Sequence, residues 1–123
     1  MSKIVAVIGA SGDRRKFGNK AVRAFLAQGY TVIPVNPHEP EIEGLKAYPS
    51  VLDIPGPVDM VTVYVHREVG VRVMPEIAAK GIKEVWLNPG ADDDAVLDAA
   101  RAAGLEPIVA CSIMGIGELP GRY

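Results

Sequence analysis

The chain has 123 residues, the size of one domain built around one core, and it is read as a single domain over 1–123. Hydrophobic residues make up 49% and charged residues 23%, which excludes a disordered chain. A net charge of −2 leaves no lysine and arginine excess to neutralise phosphates, so no nucleic-acid partner is expected. The lone cysteine, Cys111, can form neither an internal disulfide nor a cysteine-built zinc site.

Lys3–Ile8 (KIVAVI) is a continuous apolar run ending at Gly9. It is too short to cross a membrane, and Lys3 is the only lysine before its apolar residues. It reads as a parallel strand buried on both faces, in a cytoplasmic protein with no membrane association. A helix follows over Phe17–Gln28, with Val22, Phe25 and Leu26 at helical spacing and Gly29 as its stop. Thr31–Val35 is the second strand, broken by Asn36-Pro37-His38.

From Glu39 to Pro57 six prolines or glycines predict an irregular connection with one helical turn near Ser50–Asp53. Asp59–Val65 is the third strand. Glu68–Lys80 is a helix whose Pro75 is tolerable near its start or at a kink. Lys83–Leu87 is the fourth strand and Asn88-Pro89-Gly90 a turn. Asp92–Ala103 is the next helix, its three leading acids compensating the helix dipole rather than holding a metal. Pro107–Ala110 is the fifth strand, and the glycine-rich tail from Cys111 is expected to be irregular.

Strand–helix alternation with buried parallel-type strands predicts a Rossmann-like, doubly wound α/β sheet of five parallel strands with helices on both faces. The expected strand order is 3-2-1-4-5. In such sheets ligands sit outside the C-terminal strand ends, where the order reverses. The Gly9 loop, the Asn36 turn, the His66 region, the Asn88 turn and Cys111 all fall at those ends.

The strongest local signal is the run Gly9-Ala10-Ser11-Gly12-Asp13-Arg14-Arg15-Lys16-Phe17-Gly18, which leaves a strand and enters a helix. Small residues let the backbone approach a phosphate, and N–H groups at the helix start point at it. The Ser11 hydroxyl adds a donor, and Arg14 and Lys16 add charge. Glycines at 9, 12 and 18 do not match the NAD fingerprint, and no acid stands at the tip of the second strand. No Gly-Lys-Ser/Thr closes the loop as in an ATP-binding P-loop. An anionic, nucleotide-like ligand is expected.

Four segments then carry a resemblance: VIGASGDRRKFGNKAV, GYTVIPVNP, IEGLKAYPSVLDIPGPVDMV and GIKEVWLNPG. Together, from about residue 4 to about residue 111, the chain resembles the CoA-binding domain family. This Rossmann-type module stands alone in small bacterial proteins and forms the N-terminal domain of the succinyl-CoA synthetase α subunit. The resemblance implies that coenzyme A or an acyl-CoA is the ligand. Its pyrophosphate would lie on Gly9, Ala10, Ser11 and Gly12 and the start of the helix at Phe17. Asn36, Pro37 and His38 would lie by the adenosine and its 3′-phosphate. Val65 and His66 would flank the adenine or the pantetheine arm, and Asn88 and Gly90 would face the pantetheine. Where synthetases often carry a lysine after the strand-two proline, this chain has His38.

The synthetase's phosphohistidine belongs to a second domain that these residues do not include, so no ligase chemistry is expected. His38 and His66 are tied to no serine or cysteine by motif, and no catalytic residue is assigned. Cys111 reads as a small packing residue. Binding of CoA without chemistry, for a partner enzyme, is the leading expectation. A small NAD(P)- or CoA-using enzyme and a regulatory subunit that binds no nucleotide are the alternatives.

Overall fold

The computed structural model describes residues 2–123. Its main sheet has five parallel strands: β1 Ile4–Ile8, β2 Thr31–Val35, β5 Met60–Val63, β6 Glu84–Leu87 and β7 Ile108–Val109. Between β2 and β5 the chain adds a small antiparallel hairpin, β3 Glu41–Ile42 and β4 Leu45–Lys46. The helices are α1 Phe17–Ala27, α2 Arg67–Lys80, α3 Asp94–Ala102 and a short α4 Ser112–Gly115. The result is a Rossmann-like doubly wound α/β sheet, as its composition of buried, β-branched strands predicts.

Two apolar layers sandwich the sheet. On one face Ala21, Val22, Ala24 and Phe25 of α1 and Ile113 of α4 close over Val5 and Val7. On the other, Met74 and Ile77 of α2 and Val96 and Ala100 of α3 cover Ala6, Ile8, Val61 and Val63. Strands buried on both faces need apolar residues at successive positions, which is why β1 and β5 read as unbroken runs.

The strand order differs from the expected 3-2-1-4-5. The third long strand, β5, pairs with β1 and not with β2, so the sheet runs β2-β1-β5-β6-β7, or 2-1-3-4-5 when the hairpin is left out. Pro34 supplies a physical reason. It lies inside β2 and has no N–H for a ladder, which favours an edge over an interior position. Among the described residues only Tyr48 bridges to the outer side of β2, through Tyr48 N–H to Pro34 O and Asn36 N–H to Tyr48 O. The reversal of strand order therefore lies between β1 and β5, and the crevice above these two strands is the one the fold favours for ligands.

The other differences are local. Residues 41–46 form a hairpin where an irregular connection is expected, and Val51–Asp53 supplies the expected helical turn. Helix α2 runs through Pro75, which sits on its exposed side, as does Val71. The Val71 carbonyl that loses its helical donor can thus turn to water. The tail is not irregular: α4 buries Ile113, and Glu118 accepts hydrogen bonds from Gln28 and Tyr123. Among the described residues no helix is long and apolar enough to cross a membrane.

Candidate functional site

The glycine loop is set by two close approaches. Gly9 ends β1 at φ +90, and a Cβ there would lie 2.5 Å from the Tyr64 carbonyl oxygen. Gly18, in the first turn of α1, packs on the loop itself, where a Cβ would lie 2.1 Å from Gly9 O. These two glycines bring strand end and helix start together, so the intervening residues must arch over the sheet edge. Asn36 fastens the arch to the end of β2: its Nδ2 donates to Ala10 O at 2.8 Å, and its Oδ1 accepts from His38 N–H at 2.7 Å.

A crevice of about 680 Å³ opens over the loop. Gly9, Ala10, Ser11, Lys16 and Phe17 form one wall, Asn36, Pro37 and His38 a second, and Val65, His66 and Gly90 a third. Eleven of the fourteen residues expected at the site thus meet at one opening. The backbone N–H groups of Ala10, Ser11, Phe17 and Gly18 have no hydrogen-bond partner among the described residues, and all four residues line the crevice. Loop and helix-start donors left open in this way suit an anion.

The three remaining residues are spent elsewhere. Arg14 is paired with Glu43 at 3.3 Å. Gly12 N–H donates to both carboxylate oxygens of Glu39, at 3.1 and 3.0 Å. Asn88 is 1% exposed, and its amide is fully occupied inside: Nδ2 donates to Thr62 Oγ1 at 2.6 Å and to Val63 O at 3.0 Å, while Oδ1 accepts from Ser112 N–H at 2.8 Å. Cys111 is half-buried beside α4 and lines neither this crevice nor the smaller cavity described below. Asp92 and Asp93 each accept from a local backbone N–H, of Gly90 and Ala95.

The basic cluster divides. Arg15 is held by Asp13, and the Arg15 guanidinium together with the Arg15 backbone N–H draws the Asp13 carboxyl down to about 2. Lys16 is in no ion pair among the described residues and stands on the crevice wall. Because the folded-state value of Asp13 is depressed, its contribution to stability is present above pH 3.8 and is lost as pH falls through about 2. Asp13→Asn is expected to flatten the acid side of the thermal-stability curve over that window; a curve parallel to that of the parent protein would contradict this.

Some site residues give little sign of themselves in the sequence. Tyr64 lies at the crevice floor, and burial pushes its phenol up to about 12, with its hydroxyl within 3.2 Å of Ser112 Oγ. Glu39 reaches the loop from beyond the strand-two turn. A second, mainly apolar cavity of about 220 Å³ adjoins the crevice, sharing Gly9, Asn36, Pro37, Val65 and Val69 with it. It extends to Val51 and Val73, with Ser50 donating to Glu76 at its edge. Its walls come from the 49–51 segment and α2, which only the fold brings beside β2.

With this geometry in view, the relationship is direct: the family model for the CoA binding domain matches residues 3–116. The chain belongs to the CoA-binding domain family. Its relatives include the acetate–CoA ligase (ADP-forming) II subunit alpha of Pyrococcus furiosus, 42% identical over 82 residues, which are 66% of this chain and 18% of that one. The chain thus spans less than a fifth of the length of that ligase subunit. Among solved structures, a hypothetical protein from Pyrococcus horikoshii OT3 superposes with a TM-score of 0.85 at 32% identity, covering 94% of this chain and 81% of the other. A conserved hypothetical protein from Pyrococcus furiosus gives a TM-score of 0.84 at 35% identity, covering 92% of this chain and 98% of the other. Membership of this family, over most of the chain, agrees with the resemblance carried by the loop and the VIPVNP strand end.

Proposed function

We propose that the chain binds coenzyme A or an acyl-CoA across the C-terminal ends of β1 and β5, without ligase chemistry of its own. The observation that carries the reading is the set of four open N–H groups, from Ala10, Ser11, Phe17 and Gly18, on a crevice of a CoA-binding family member. The pyrophosphate takes these donors, with Lys16 as the neighbouring cation. The adenine enters the apolar cavity between Pro37, Val65 and Val69. The pantetheine arm runs past His66 toward Gly90; Asn88 supports that wall from behind instead of touching the ligand. Both histidines stand on the crevice wall, where their rings face the ligand path as contact residues.

The test is calorimetric titration with CoA, dephospho-CoA, NAD and ATP. CoA is expected to bind, and tighter than NAD or ATP. Absence of binding at millimolar CoA refutes the reading. Lys16→Ala is a clean companion variant. Lys16 stands on the crevice wall and is in no ion pair among the described residues, so its loss leaves no partner charge unpaired. The variant is expected to fold normally and to bind CoA about tenfold more weakly. Unchanged affinity in the folded variant would remove the pyrophosphate from the side of the crevice that Lys16 faces.

A further inference from the structure

The glycine loop already has an anion on it. Both oxygens of Glu39 accept from Gly12 N–H, and Asn36 Nδ2 lies 3.3 Å from Glu39 Oε2. The turn that carries Glu39 does not depend on this contact, because the Glu39 backbone N–H is satisfied separately by Asn36 Oδ1 at 3.1 Å. Four residues on, Glu43 completes the cover. It stands at φ +51 in the two-residue turn of the β3–β4 hairpin, with Gly44 beside it at φ +75. From there it accepts from Asn19 Nδ2 at 3.1 Å and pairs with Arg14. The Asn19 hydrogen bond, with Arg14, holds the Glu43 carboxyl below its usual range. Thus one acidic segment places one carboxylate on Gly12 N–H and a second on Asn19 and Arg14 beside it.

A carboxylate bonded to a loop N–H does what a phosphate oxygen of a ligand would do there, and its charge opposes the arrival of one. We infer that Glu39 is a specificity-determining residue: it occupies Gly12 as an internal anion, lowers the affinity of the loop for phosphate groups, and penalises ligands most where they carry most charge. The inference rests on the loop being an anion site, not on the anion being coenzyme A. Coulombic opposition at a partly exposed site and competition for one charged hydrogen bond together amount to roughly a tenfold effect on affinity.

Inorganic pyrophosphate is the probe, titrated into the parent protein, Glu39→Gln and Glu39→Ala at one pH and ionic strength, with the Gly12 amide followed by NMR. Both variants are expected to bind pyrophosphate about tenfold more tightly, with the Gly12 resonance moving on addition. Parallel titrations are expected to show a larger gain for CoA than for dephospho-CoA. If neither variant gains affinity for pyrophosphate, or either loses it while folded, Glu39 is not a competitor and the inference fails; the Gln variant keeps the fold of the turn should Ala disturb it. If pyrophosphate tightens but CoA binds none of the three proteins, the CoA reading falls and the role of Glu39 stands.

Discussion

Gly18→Ala is expected to lower the unfolding midpoint by roughly 10 °C or more. On propensity alone the change should help, because alanine exceeds glycine in a helix interior by about 1 kcal/mol, and by less in a first turn. Packing decides otherwise. The added Cβ would sit 2.1 Å from Gly9 O and 3.0 Å from Gly9 C. Both are backbone atoms of a loop held by Asn36 and Tyr64, so no rotamer change relieves the contact. Helix α1 would have to lift off β1, withdrawing Val22 and Phe25 from the core. A cost of about 3 kcal/mol follows, enough to outweigh the propensity gain severalfold. Gly29→Ala is the control. Gly29 has φ +83 with nothing within 4 Å of its Cβ, so only left-handed strain of about 1–2 kcal/mol is expected. Chemical denaturation of both variants separates the two effects; a Gly18→Ala protein as stable as the parent would show that the helix start yields easily.

Asn88→Ala is expected to cost about 2–4 kcal/mol and to loosen the C-terminal segment selectively. The Asn88 side chain joins three elements: Thr62 and Val63 on β5, its own position at the end of β6, and Ser112 at the start of α4. Ser112 N–H is one of the donors a helix leaves open at its start, and here it is buried. Without Asn88 Oδ1 it has no acceptor, whereas Thr62 Oγ1 keeps its 2.7 Å contact with Ser112 Oγ. The penalty therefore falls on α4. Hydrogen exchange is expected to quicken at Ser112 and Ile113 before it does in β1 or β5. Since Asn88 does not line the crevice, CoA affinity should change far less than stability. A variant that keeps its midpoint but loses the ligand would reverse that assignment and return Asn88 to the binding surface.

Much of the site was legible because it is local. The glycine run, the strand end at Val35-Asn36-Pro37 and the position of Val65-His66 each follow from residues adjacent in the chain. What those residues do there was less legible. Arg14 carries its charge in any conformation, but the hairpin turn delivers Glu43 to it and leaves Lys16 facing the crevice. Asn88 stands at a strand end by sequence, yet a rotation inward makes it a structural hub. Glu39 fails as a ribose acid by spacing, and its contact with Gly12 depends on the Asn36 turn folding back on the loop.

By itself the sequence determined the parallel α/β class, the five strands of the main sheet and the glycine loop over a helix start, because period, β-branched runs and small residues are local properties, while the family rested on the resemblance of four segments. Tertiary structure alone decided the order of the strands. Pairing β5 with β1 and leaving Pro34 on an edge is settled by competition among ladders, and each strand is apolar enough to fit more than one place. That order moves the reversal point to β1 and β5 and opens the crevice over Gly9 and Tyr64, where the folded Asn36 turn sets Glu39 against Gly12 N–H.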